Sequence, residues 1–125
     1  MEEVSVYFLD TYALIEIIKE NKNYKKFQET INVTSLMNLY ELHYLVSKWF
    51  GPEKADTIIN KLKKIIVDIK VEDIKRASNF RIKNIKRKFS YIDCLGYSIA
   101  LNRNIKFLTG DKEFENLESV EFVKK

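Results

Sequence analysis

Val4-Ser5-Val6-Tyr7-Phe8-Leu9-Asp10-Thr11 is an apolar run of β-branched and aromatic residues that stops on an acid. Ile105-Lys106-Phe107-Leu108-Thr109-Gly110-Asp111 repeats the arrangement near the other end of the chain, with a Thr-Gly turn before the acid. Short apolar runs of this kind mark strands buried inside a sheet. Strands are expected over 4–9 and 105–108.

Helical and extended patterns alternate between these two runs. Residues 11–20 repeat Leu14, Ile17 and Ile18 at helical spacing, and 21–29 form a short second helix with Tyr24 and Phe27. A brief strand is expected over 31–34. Ser35 can cap a helix over 36–50, whose stripe Leu39, Leu42, Val46 and Trp49 faces inward. Gly51-Pro52 ends it and opens another to about 64. A strand over 65–69 follows, then a helical pattern over 71–88 whose apolar phase slips between Phe80 and Ile82, predicting a break. Ser90 starts a helix reaching 101 with Ile92, Leu95 and Ile99 inward; 112–115 is at most a helical turn, and 120–123 a last strand. Strands alternating with helices predict an α/β fold with a parallel sheet and helices on both faces. Such sheets bind ligands beyond the carboxyl ends of their strands, where strand order reverses.

At 125 residues and 46% hydrophobic content, with three glycines, one proline and no linker, the chain is expected to be one domain, 1–125. The net charge of +4 is compatible with nucleic acid without establishing it. The lone Cys94 excludes an internal disulfide. Met1-Glu2-Glu3 is acidic and the run 4–9 too short for a signal peptide, so a cytoplasmic protein with no membrane span is expected.

Four acids fall at telling positions. Asp10 and Asp111 follow strands; Glu41 and Asp93 lie early in apolar helices. Carboxylates gather away from water only around a cation, so a shared site means a divalent metal, and such sites usually act on phosphate esters. Each acid also has a structural reading. Asp10 and Asp111 can cap the turns after them, and Ser90-x-x-Asp93 matches a capping box. Glu41 sits mid-helix with Asn38 on its face, and Gly96 and Ala100 lie on the face of Asp93, allowing close approach of a strand end.

In order and spacing, Val6-Tyr7-Phe8-Leu9-Asp10-Thr11, Asn38-Leu39-Tyr40-Glu41, Ser90-Tyr91-Ile92-Asp93 and Leu108-Thr109-Gly110-Asp111-Lys112-Glu113-Phe114 resemble the PIN-domain family of metal-dependent ribonucleases, particularly the VapC-type toxins of toxin–antitoxin pairs. The resemblance implies a PIN-like three-layer sandwich, its mostly parallel twisted sheet flanked by helices. It implies an endoribonuclease using one or two Mg²⁺ or Mn²⁺ ions on single-stranded or structured RNA, a cognate antitoxin, and a homodimer. Asp10, Glu41, Asp93 and Asp111 would be the catalytic and metal-holding acids, in keeping with the oxygen preference of Mg²⁺. Where many relatives carry a further aspartate this chain has Glu113.

Thr11, Asn38, Ser90 and Thr109 could bond the carboxylates or waters around them. In-line attack of water would leave 5′-phosphate and 3′-hydroxyl ends. His43, two residues from Glu41, faces away and is not a ligand. Seven Lys or Arg and no acid lie over 75–88. Arg81, Lys83, Lys86, Arg87 and Lys88 are candidate RNA contacts, a solvated helix face being the plainer reading. Tyr12 and Tyr40 could stack bases. A PIN-like domain in RNA processing, or one binding RNA without cutting, fits the same residues. A receiver-type Mg²⁺-binding signalling domain fits less well, because Asp10 has no neighbouring acid and Glu41 lies within a helix.

Overall fold

A computed structural model describes residues 5–125; Val4 of the expected first strand, and Met1-Glu2-Glu3, lie outside them. Five strands, β1 (Val6–Leu9), β2 (Ile31–Ser35), β3 (Ile66–Val67), β4 (Lys106–Thr109) and β5 (Val120–Phe122), form one sheet in the order β3-β2-β1-β4-β5. Every pairing is parallel, with Phe8 opposite Val33 on one side and Phe107 on the other. Helices α1 (Thr11–Ile18), α2 (Leu36–Phe50), α3 (Pro52–Leu62), α4 (Val71–Lys83) and α5 (Tyr91–Asn102) connect and cover them.

Strand side chains alternate between the faces. Leu9 and Leu108 point into one core, with Ala13, Leu14, Leu39, Leu42, Val46 and Ala55 from α1, α2 and α3. Phe8 and Phe107, their neighbours in sequence, point into the other, with Ala77, Tyr97, Ile99 and Phe114. Phe107 and Phe114 rings lie 4.7 Å apart, and Tyr97 meets Phe107 edge-on at 5.6 Å. The result is a helix–sheet–helix sandwich. Gly96 on α5 permits the closest approach: a Cβ there would lie 2.8 Å from Phe8 Cε1 and 3.3 Å from Phe107 Cε1. Gly96→Ala is expected to lower stability by about 1–3 kcal/mol, the usual cost of overpacking. Urea denaturation checks it; an unchanged midpoint would mean that the phenylalanines yield freely.

Several expectations need correction. The strand expected over 65–69 shrinks to Ile66–Val67 behind a 3-10 turn at Lys63–Ile65, because it pairs only with β2 at the sheet edge. Helix α1 ends at Ile18 rather than 20, and Glu20 turns the chain in the left-handed region at φ 60°. The 21–29 segment is a 3-10 helix, Lys22–Glu29. Trp49, in the last turn of α2, is not inward: it is 46% exposed, with the Lys19 ammonium 5.8 Å from the centre of its ring. The pattern over 71–88 breaks at Lys83, where Asn84 N–H and Nδ2 both donate to the Phe80 carbonyl. Ile82 and Ile85 are then exposed, which is the origin of the phase slip.

Candidate functional site

Strand order reverses between β1 and β4: the chain runs outward through β2 and β3, then returns to the other side of β1. A crevice therefore opens beyond the carboxyl ends of these two strands. Asp10 and Asp111 stand there, each just past a strand end. The Asp10 amide continues the ladder, donating to the Leu108 carbonyl at 3.2 Å.

The three aspartates are held by the caps that the sequence suggests. Asp10 Oδ1 accepts from Ala13 N–H at 2.8 Å, and Asp10 Oδ2 accepts from the Thr109 hydroxyl. Asp93 Oδ2 accepts from Ser90 N–H at 2.9 Å while Ser90 Oγ accepts from Asp93 N–H, completing the box at the start of α5. Asp111 Oδ1 accepts from Glu113 N–H at 3.0 Å, and Thr109 Oγ1 accepts from Asp111 N–H. Capping and a shared site are compatible, because a carboxylate has two oxygens. Asp93 Oδ1 and Asp111 Oδ2 keep no hydrogen-bond partner among the described residues. The amino ends of α1 and α5 add positive dipole ends beside Asp10 and Asp93.

Ionisation ties the four acids together. Asp10 is 3% exposed. Burial pushes its carboxyl up to about 8, offset in part by the bonds from Thr109 and Ala13, and the Asp93 and Asp111 charges raise it further. Asp93 is also raised, first by burial, then by Asp111 and Glu41. Glu41 is half-buried on α2, and its charge acts on Asp93. Among the described residues no three His, Cys, Asp or Glu side chains close into a ligating cage. The charges of Asp93 and Asp111 act on Asp10 and those of Asp111 and Glu41 on Asp93, and the donors these side chains offer are all oxygen, which fits a hard divalent cation.

The expected supporting residues divide. Thr109 and Ser90 bond Asp10 and Asp93 directly. Thr11 and Asn38 bond each other at 3.2 Å instead, with Ser35 Oγ donating to Asn38 Oδ1 at 2.6 Å, so this buried trio locks the start of α2 to α1. Gly110 is a position whose role the turn alone did not disclose: a Cβ there would strike the Tyr12 ring and the Tyr24 hydroxyl, so both side chains close over the β4 exit. Tyr12 is raised by burial, with Asp111 and Asp10 contributing. Tyr40 is exposed. His43 bonds Asp56 at 2.7 Å, and Cys94 is buried with its thiol pushed up to about 11 by burial.

Of the basic run, Lys83, Lys86 and Lys88 are exposed. The Arg81 guanidinium lies 4.0 Å from the centre of the Tyr91 ring, itself 75% exposed. Arg87 pairs with Glu113, its Nε 3.3 Å from Oε2. No helix among the described residues is long and apolar enough to cross a membrane.

A family profile described as PIN domain matches residues 7–120. No curated protein sequence matches the chain. Solved structures share its fold at low identity. The Mycobacterium tuberculosis toxin VapC20, which cleaves the sarcin–ricin loop, has a TM-score of 0.77 at 16% identity over 94% of this chain and 98% of that one. VapBC2 from Rickettsia felis, bound to a DNA fragment from its promoter, has a TM-score of 0.76 at 20% identity over 95% and 99%. A toxin–antitoxin complex from Klebsiella pneumoniae has a TM-score of 0.72 at 18% identity over 92% and 95%.

Proposed function

The chain belongs to the PIN domain family, and from that membership we propose that it is a divalent-cation-dependent endoribonuclease, the toxin of a toxin–antitoxin pair. The observation that carries the reading is Asp10, buried at the rim where β1 and β4 part, with Asp111 just past the neighbouring strand end; the charges of Asp93 and Asp111 reach Asp10, and that of Glu41 reaches Asp93. The structural neighbours add weight: one is a toxin that cleaves the sarcin–ricin loop, and another is bound to a DNA fragment from its promoter.

Asp10, Asp93 and Asp111, with Glu41, would hold Mg²⁺ or Mn²⁺. The bound cation supplies Lewis-acid stabilisation of the phosphate and lowers the pKa of water. Thr109 keeps the Asp10 carboxylate turned to the crevice, and Ser90 does the same for Asp93. Glu41 is the one acid not committed to a cap, so it orients the attacking water in line with the scissile bond and accepts its proton. Lys83, Lys86 and Lys88 take the RNA backbone on the approach to Ser90 and Asp93, with Arg81 and Arg87 in the same stretch, and Tyr91 offers a stacking face backed by Arg81. The protein partner is an antitoxin, and a second copy completes a dimer.

Incubation with a panel of defined RNAs tests the proposal. Cleavage is expected with Mn²⁺ or Mg²⁺ and not with EDTA, with products carrying 5′-phosphate and 3′-hydroxyl ends. Cleavage that survives EDTA, or 2′,3′-cyclic phosphate ends, would overturn the chemistry.

A further inference from the structure

We propose that Arg87 is a positioning residue for the carboxylate cluster, holding the turn that carries Asp111 against the connection that carries Ser90 and Asp93. The inference rests on the reading that the four acids hold a cation.

Asp93 and Asp111 sit on different elements, and the distance between them depends on how the 84–90 connection meets the turn after β4. Two contacts join these segments. In the core, the Phe89 and Phe114 rings lie 4.5 Å apart. At the surface, Arg87 Nε meets Glu113 Oε2 at 3.3 Å, and Arg87 Nη2 donates to the Glu113 backbone carbonyl. Gripping both the carboxylate and the backbone of one residue fixes the turn as well as the side chain. The guanidinium also lies 4.9 Å from the Phe89 ring, so the two contacts brace one another.

From Glu113 a hydrogen-bonded chain runs into the cluster. Glu113 N–H donates to Asp111 Oδ1, Asp111 N–H donates to Thr109 Oγ1, and Thr109 donates to Asp10 Oδ2. Ser90, three residues beyond Arg87, closes the box on Asp93. Arg87 is thus linked to three of the four acids without touching any. A solvated basic face requires no such grip, and a phosphate contact is served equally by its exposed neighbours Lys86 and Lys88.

Calorimetric titration of Mn²⁺ into the purified chain, without RNA, tests this. A simple phosphate contact would leave that readout unmoved. Arg87→Ala and Glu113→Gln are each expected to bind Mn²⁺ about tenfold more weakly, the low end for groups that orient metal ligands. The double variant should be no worse than Arg87→Ala alone, because that substitution already removes both contacts to Glu113. Mn²⁺ affinity within about twofold of wild type in both single variants, alongside lost binding in Asp10→Asn, would overturn the role of Arg87. Retained binding in Asp10→Asn would overturn the cation site itself. Should Arg87→Ala fail to fold, Glu113→Gln carries the test, since it keeps the contact to the backbone carbonyl.

Discussion

Asp10→Asn is expected to melt higher than wild type in EDTA at pH 8 while losing RNA cleavage. Burial holds the Asp10 carboxyl at about 8 against an ordinary 3.8. Between these values the folded chain binds the proton more tightly than the unfolded one, so stability falls as pH rises and the contribution is gone by about pH 8. A shift of that size is on the order of 5 kcal/mol. Asparagine carries no charge and escapes the penalty, although it matches the bonds from Ala13 and Thr109 less well. A gain of roughly 5–10 °C at pH 8 is expected, shrinking towards zero below pH 5. Cleavage should fall by at least about a hundredfold, since a residue in direct contact with the cation matters no less than the groups that orient it. Scanning fluorimetry across pH with a fluorogenic RNA assay checks both arms. Parallel melting curves for the two proteins at every pH would show that Asp10 is not held as a strained acid.

Millimolar Mn²⁺ is expected to raise the melting temperature of wild type by several degrees and leave Asp10→Asn unmoved. At one hundred times Kd a ligand of the folded state adds about 2.7 kcal/mol. The shift has a pH signature. A cation must displace the Asp10 proton, so Mn²⁺ affinity should climb by up to about tenfold per pH unit below 8 and level off above it. Burial is the larger cause of the raised pKa and Asp93 and Asp111 add to it, so neutralising either should flatten the climb. An equal shift in both proteins, or an affinity independent of pH, would place the cation elsewhere.

Much of the architecture is written in stretches short enough to read locally. The apolar run ending at Leu9 marked a buried strand, whose Phe8 and Leu9 enter opposite cores, and Ser35, Pro52 and Ser90 marked where α2, α3 and α5 begin. The caps on Asp10, Asp93 and Asp111 are also local, each closing on an amide two or three residues away. Less legible were features that depend on a distant neighbour. The two-residue β3 follows from what lies beside it, an edge with one partner, and the exposure of Trp49 in the last turn of α2 is not legible in its spacing.

The site divides along the same line. Residue types and their order were enough to nominate Asp10, Glu41, Asp93 and Asp111 as oxygen donors, because an acid after a buried strand or early in an apolar helix is costly without a purpose. The spatial order β3-β2-β1-β4-β5 was beyond such reading, since hydrophobic periodicity says which face of a strand is buried and not which strand lies beside it. That order alone sets Asp10 next to Thr109 across 99 residues and turns Arg87 onto Glu113 across 26. Electrostatic coupling falls off with distance through space, so it exists only once the sheet has been assembled.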